Sequence, residues 1–575
     1  MTSPGHSSSG HEMHEAGDVL GAPAPAVERG APVRKTSTTF HEPPDYRGAD
    51  LDLEGGQGAT RQTRTFSRRE ASRIDSAHFF GGDVAAEKQE LHLERFASQK
   101  GKDQIVVHWE GENDSENPLT WSFAYKCYLT VCAAVLVLNS TFTSSCPSGI
   151  VTQMEEYFGF GQIVGILTIS LWVAGYCLGP LIWGPLSERI GRRPVFLISI
   201  FAYTIWNVAC ALAHNTPSIL VFRFLGGVFG AAPLTTSGGT IADVWDAKRR
   251  GIALSLFSVA PFAGPALGPI VSGAISVTGT SWRWVYWVCA MFSGACFVIV
   301  FATMKETYAP VILKRKAQRI RKETGSSIYV APLELTPLHA KTLLHDTLLF
   351  PFAMLLREPI LAAMALYLGF VYGLIYLQFE AFPIIFQTPQ PQGYGYNGLL
   401  GGVCFLSLFT GGVIGCIFYV VFFNPRYVRL VDEYAAKGQR VPPEERLYVV
   451  CIAAPCLAAS FFWIGWTGKP SISAASPLCA GVLLGFAILL IFLGLFNYIV
   501  DTYLSRAASA LAGNTVVRSA FGAGFPLFAG QMYNRLGTPW ASSLLGFLAV
   551  VLGVVPFVLV AYGPKIRALS KHAAD

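Results

Sequence analysis

From about residue 125 onward the chain alternates apolar runs of roughly 20 residues with short polar stretches. Each run is long enough to cross a hydrocarbon layer of roughly 30 Å at about 1.5 Å per residue. The runs lie near 125 to 147, 161 to 183, 194 to 213, 217 to 241, 251 to 277, 284 to 304, 359 to 384, 399 to 423, 446 to 467, 476 to 500, 507 to 532 and 539 to 562, predicting twelve membrane-spanning helices. Residues 1–107 are rich in Ser, Gly, Pro, His and charges with no sustained apolar period, which predicts a disordered tail. A second polar break, residues 305–358, divides six runs from six. The expected organisation is a tail (1–107), a six-helix bundle (108–304), a central loop (305–358), a second six-helix bundle (359–563) and a short tail (564–575).

Loop charge orients the array. Loops after even-numbered runs carry Arg189, Arg192 and Arg193, then Lys248, Arg249 and Arg250, then the basic central segment, then Arg426, Arg429, Lys437 and Arg440; the chain closes with Lys565, Arg567 and Lys571. On the opposite side the stretches 149–161, 214–217 and 387–398 contain no Lys or Arg, and only Lys469 and Arg535 interrupt the later loops. Cationic loops stay in the cytoplasm, so both termini and the central loop are expected there. Lys314, Arg315, Lys316, Arg319, Arg321 and Lys322 follow the sixth run directly. They are expected to lie along anionic lipid or to form a regulatory helix. In the tail, Ser67 and Ser72 stand beside arginines as candidate phosphorylation sites.

Composition narrows the function. With 52% hydrophobic and 14% charged residues in 575, the chain is too apolar for a soluble enzyme, and its net charge of +6 is too dispersed to argue for nucleic acid. The 12 cysteines fall nearly all inside apolar runs, with no C-x-x-C pair, so neither a metal nor a redox cofactor is expected. No G-x-x-x-x-G-K-[ST] loop occurs, which argues against direct ATP hydrolysis. No short apolar stretch with a cleavage site opens the chain, so the first helix is expected to do the targeting.

Within the fifth run, Gly264, Pro265, Gly268, Pro269 and Gly273 place glycine over glycine and proline over proline, a bare seam that suits close packing by a neighbouring helix. Residues 184–193 carry Gly184, Glu188, Arg189, Gly191, Arg192 and Arg193, glycines for a tight turn and charges for a cytoplasmic latch that forms in one state and breaks in another. Asp243, at the cytoplasmic end of the fourth run, is expected to join that network.

Arg223 stands in an otherwise apolar run and costs roughly 2.5 to 3.5 kcal/mol at mid-membrane unless it faces a cavity or a partner. Its depth falls within about a turn of Gly264, so it could donate to carbonyls freed by Pro269, in a structural or a coupling role. Arg518, about 17 Å into the eleventh run, is a cavity-wall residue or an interhelical donor. Glu380 is the only acid within the apolar runs proper, a proton acceptor or an interfacial carboxylate. Asp501 reads as an interfacial anchor or a pathway residue. Tyr372, Tyr376, Gln378, Asn497 and Asn514 are candidate cavity residues, and the aromatic stripe Tyr372, Tyr376, Phe379 and Phe382 would favour bulky amphipathic or cationic ligands if it faces the cavity.

Several of these stretches resemble the major facilitator superfamily, in its twelve-helix, fungal-type drug:proton antiporter branch. The fifth run is similar to that family's antiporter signature G-P-x-x-G-P-x-x-x-G, and residues 184–193 resemble G-x-L-x-D-R-x-G-R-R/K, with Glu188 for Asp. Arg223 and Gly227 resemble R-x-x-Q-G, associated there with proton coupling, with Gly226 in place of Gln. The tryptophan-bounded stretch Trp109 to Trp121 and the run Glu306-Thr307-Tyr308-Ala309-Pro310 resemble segments flanking the first bundle, with Lys305 where the family usually has Pro. The resemblance implies an all-α membrane protein of two pseudo-symmetric six-helix bundles, not an enzyme. It implies proton-coupled export of small amphipathic or cationic molecules across the plasma membrane by alternating access, with substrate, protons and lipid as partners and a monomer as the working form. A dedicated exporter of one metabolite and a non-transporting sensor on the same fold are the alternatives.

Overall fold

Each apolar run folds as one helix or as two nearly in line, because a backbone in hydrocarbon must satisfy its polar groups internally. A computed structural model describes residues 105–110, 114–335, 349–568 and 570, all within the compact unit Phe66–Asp575. Most of the expected disordered tail, with Ser67 and Ser72, lies outside the described residues, as does Lys571.

The first six runs give α1 (Phe123–Ser145) with its short continuation α2 (Val151–Phe158), then α3 (Gln162–Ile190), α4 (Arg192–Ala211) and α5 (Thr216–Val244). The fifth run is α6 (Ala247–Phe257) followed by α7 (Ala260–Val277), and the sixth is α8 (Arg283–Thr303). Caps set the starts: Ser122 accepts from the Tyr125 N–H and Asn215 from the Ser218 N–H. Pro147 ends α1, and the chain tightens into a 3-10 turn over Cys146–Ile150.

The central segment holds α9 (Ala309–Thr324), α10 (Pro332–Leu335) and α11 (Phe350–Arg357). The remaining runs give α12 (Pro359–Phe382), α13 (Gly398–Val403) with α14 (Leu406–Phe418), α15 (Asn424–Ala436), α16 (Tyr448–Thr467), α17 (Ala475–Thr502) and α18 (Ala507–Ala568). Among the described residues eleven helical segments are long and apolar enough to span. The last is a 62-residue element broken at Gly537, whose φ of 72° leaves the helical region, so two stretches of roughly 30 residues remain, each able to cross.

Three pairs of helices join the halves: α3 packs on α18, and α7 packs on α13 and on α14. Helix α12 is buried along its whole second half, from Tyr367 to Phe382.

The polar segments on either side of the first six runs are tied to each other. β1 (Ile105–Val106) pairs in parallel with β2 (Tyr329–Val330), and Val107 packs with Ala317 and Ala331. Lys316 of α9 reaches Glu110 and Asp114 at 2.9 Å each, Arg319 reaches Glu116 at 2.9 Å, and Arg321 reaches Glu334 at 2.8 Å. The described chain begins at Ile105, at the end of the stretch expected as tail. Half of the basic cluster, Lys316, Arg319 and Arg321, pairs with the acids between Trp109 and Trp121 and with α10, and the cluster lies on a helix, as one of its two expectations had it. Lys316 and the N–H groups of Glu110 and Glu116 all favour the ionised carboxylate of Asp114, bringing its pKa down to about 2. Glu334 is held below the usual carboxylate range chiefly by its bonds to Arg321.

Candidate functional site

The glycine seam is used on two sides. A Cβ added at Gly264 would lie 2.0 Å from Thr141 Oγ1 and 2.5 Å from the Phe142 nitrogen, and one at Gly268 would lie 2.0 Å from Ser145 Oγ, so these two glycines let α7 meet α1 within the first half. At Gly273 the same atom would sit 2.2 Å from the carbonyl oxygen of Gly398 on α13, and at Gly402 it would sit 2.5 Å from the carbonyl of Pro269. One helix therefore touches its own bundle and the opposite one, backbone to backbone. Ser145 donates to the Gly264 carbonyl at 3.2 Å, and Ser272 donates to the Gly268 carbonyl at 3.0 Å.

Arg223 takes partners other than those the sequence suggests. It donates from Nε to the Thr168 carbonyl at 2.6 Å, from Nη1 to the Thr143 carbonyl at 3.0 Å and from Nη2 to the Ser144 carbonyl at 3.2 Å. The expected bond to carbonyls freed by Pro269 is corrected: Pro147 has no N–H to return to Thr143, so the end of α1 supplies the unsatisfied acceptors. The guanidinium is fully buried and stacks 4.3 Å from the Trp172 ring centroid. Around it the end of α1, Asn139 to Ser145, is buried and cross-linked: Thr143 and Tyr203 hydroxyls meet at 2.6 Å, and Ser140 donates to the Gly230 carbonyl at 2.5 Å. Sequence reading passed over this stretch, although seven residues with six polar side chains ending an apolar run, just before a proline, would have marked it.

Arg518 is placed otherwise. Its guanidinium lies 4.7 Å from the Tyr372 ring centroid, 5.6 Å from Phe496 and 5.8 Å from Phe492. It donates no hydrogen bond and forms no ion pair among the described residues, and its buried Nε has no partner. The surrounding turn of α18 faces the first half: Cys177 of α3 contacts the Val516 carbonyl at 3.6 Å, and a Cβ at Gly522 would meet both Tyr372 and Val173. Phe492 also meets Phe262 of α7, centroids 6.1 Å apart, so rings from both halves meet beside Arg518.

The other candidates divide. Tyr376 bridges the halves through Ser144 at 3.1 Å, and Tyr372 lies 3.4 Å from it. Phe379 and Phe382 pack on Phe405 within their own half. Gln378 and Asn514 are fully buried, with both amide atoms of each lacking a partner. Asn497 donates to the Leu493 carbonyl at 2.7 Å on its own helix. Glu380 is buried where α12, α3 and α18 meet: a Cβ at Gly530 would lie 3.9 Å from its carboxylate and 3.4 Å from Gln162 Nε2. Gln162 and Gly530 also line a cavity of about 350 Å³.

Where α3, α4 and α5 approach one another, the residues expected to form a latch gather around Arg192. Its Nε reaches Asp243 at 3.3 Å and its Nη1 reaches Ser187 at 2.5 Å, while Thr307 donates to the same Asp243 oxygen at 3.2 Å. Glu306 accepts from the Arg192 N–H at 2.8 Å and the Arg193 N–H at 3.3 Å, capping α4. Gly191 (φ 102°) is obligatory here, since a Cβ would fall 2.2 Å from the Glu306 carboxylate. Gly184 makes no turn; it lies inside α3, which runs on to Ile190, a correction to the expected loop. Arg193 donates to the Phe301 carbonyl, and Arg189 forms no ion pair among the described residues. The second half has a similar arrangement: Arg446 pairs with Asp501 at 2.9 Å and lies 3.3 Å over Tyr427, as Arg192 lies over Tyr308 at 4.7 Å, although residues 424–429 of the corresponding loop do not repeat the motif of residues 184–193.

Comparison with known proteins agrees with this architecture. Residues 133–525 match the model of the Major Facilitator Superfamily. The MFS-type transporter traF of Penicillium crustosum is 41% identical over 470 residues, 82% of this chain and 94% of that protein. The major facilitator superfamily multidrug transporter mdrA of Aspergillus fumigatus is 41% identical over 475 residues, 82% of this chain and 76% of that one. Among solved structures the proton:xylose symporter XylE superposes with a TM-score of 0.54 at 15% identity, covering 77% of this chain and 96% of that one, a likeness of fold. With a family model matched over residues 133–525 and relatives 41% identical over most of its length, the chain belongs to the Major Facilitator Superfamily.

Proposed function

We propose that this protein is a proton-driven exporter of small amphipathic or cationic molecules. It works by alternating access between two six-helix bundles, residues 108–304 and 359–563, with twelve crossings in all. It acts as a monomer in the plasma membrane with both termini in the cytoplasm. The observation that carries the reading is the backbone contact of α7 with both α1 and α13, a smooth bearing on which one bundle can tilt against the other. Export is supported by relatives named as a multidrug transporter in Aspergillus fumigatus and as an efflux pump in Gibberella moniliformis.

In this reading Glu380 takes the coupling proton beside the cavity at Gln162, Arg223 holds the frame of the first bundle, and Arg518 faces the substrate. The latch around Arg192 and its counterpart at Arg446 form and break as the cytoplasmic side closes and opens. A second reading, an exporter dedicated to one metabolite, is favoured by relatives named for the ascochitine and citrinin biosynthesis clusters.

The test is substrate movement in proteoliposomes of the purified full chain under an imposed proton gradient. Gradient-dependent movement of several unrelated molecules is expected, lost in E380Q while substrate exchange without a gradient persists. Movement of one compound alone would favour the dedicated exporter. Movement indifferent to the gradient would refute proton coupling.

A further inference from the structure

The chemistry around Arg518 speaks to the kind of molecule carried. A guanidinium inside a membrane protein is ordinarily matched by a carboxylate or by a set of carbonyls, and Arg223 shows the second arrangement complete. Arg518 has neither. Rings of Tyr372, Phe492 and Phe496 lie beside it, and its N–H groups donate no hydrogen bond among the described residues. The side chain is only part-buried although it lies in mid-helix on the face of α18 turned to α3. One turn away on that face, Asn514 is fully buried with both amide atoms unpaired. A buried amide and a guanidinium edge left unmatched side by side form a receptor lacking its counter-ion. The ring faces are already occupied by a cation, so a second cation would be repelled here, whereas an anion would complete the site.

We infer that the junction of the two halves beside Arg518 takes the carboxylate of an amphipathic organic acid at that residue, with Asn514 as a supplementary partner and the apolar body against the rings of Tyr372, Phe492, Phe496 and Phe262. This rests on the export reading above and narrows it to a substrate class. A planar carboxylate matches the planar fork of arginine in two parallel bonds, a match that lysine cannot reproduce.

The experiment measures equilibrium binding to the purified full-length protein at pH 7 with three probes sharing one body: 4-butylbenzoate, 4-butylbenzamide and 4-butylbenzylamine. The wild type should bind the carboxylate about tenfold or more tighter than the amide, as charge-assisted bonds require. R518Q should bring the carboxylate down to the affinity of the amide and leave the amide within about twofold. R518K, which keeps the charge and loses the fork, should fall between, and it decides the matter if R518Q does not fold. No binding of the carboxylate, equal or tighter binding of the amine, or a carboxylate preference that survives R518Q would overturn the inference. The two readings fail separately. Export of all three probes without discrimination keeps the exporter and removes the site, whereas selective carboxylate binding with no gradient-driven movement keeps the site and removes the exporter.

Discussion

Arg223 and Arg518 are both guanidinium groups inside membrane-spanning helices, one in each half of the protein, and they are accommodated in opposite ways. Arg223 spends three donors on the carbonyls of Thr168, Thr143 and Ser144, is wholly buried, and ties α1, α3 and α5 into one unit. Arg518 has aromatic rings beside it and, among the described residues, no acceptor. Each of the three Arg223 nitrogens has a carbonyl, which suits a residue of the frame. In the reading proposed above, Arg518 with its unbonded edge meets what passes through the protein.

If the comparison is right, the largest effect comes from breaking the frame. R223A leaves the carbonyls of Thr143 and Ser144 with no donor, a loss of roughly 3 kcal/mol at 1 to 3 kcal/mol for each buried acceptor. The thermal midpoint of the detergent-purified protein should fall sharply, and R223K should recover only part of it. A midpoint equal to that of the wild type would make Arg223 something other than a clamp.

Next is the bearing on which the frame sits. Gly264→Val forces side-chain atoms into the backbone of Thr141 and Phe142 and should cost about 1 to 3 kcal/mol by overpacking. Gly238, where an added Cβ meets nothing within 4 Å, is the control on another helix; its change to Ala should leave stability and substrate movement near wild type.

The comparison also shows what the sequence made legible. The close-packing glycines of the fifth run and the membership of Arg192 and Asp243 in one charge network followed from residue type and spacing. The partners of Arg223 did not, because a backbone carbonyl has no letter of its own, and only the proline that frees it can be seen. Nor did the pair of Arg446 with Asp501, 55 positions apart, since its loop has lost the motif that flags the first copy while the fold keeps the two ends together. The docking of α9 on the stretch between Trp109 and Trp121 was missed for a related reason: a basic cluster beside a membrane suits lipid as well as it suits acids some 200 residues earlier.

That dock gives the smallest effect and lies outside both halves of the contrast. The Asp114 carboxylate is brought to about 2 by its bonds, so its contribution is complete above the ordinary carboxylate pKa of about 4 and is lost as pH falls from there toward 2. Proteolysis of the segment before α1 should therefore rise only below about pH 4. D114N should accelerate it at neutral pH by the equivalent of about 1 kcal/mol or less, as for an exposed ion pair. Arg223 and Arg518 should be indifferent to this change.

The most direct test is the thermal midpoint of purified R518Q beside wild type, each with and without 4-butylbenzoate. Without ligand the two should melt within about two degrees of each other, since Arg518 has ring contacts but no hydrogen bond or ion pair to lose, and the ligand should raise the midpoint of wild type alone. A bare R518Q that melts several degrees lower, as R223A should, would make both arginines framework and would contradict the account.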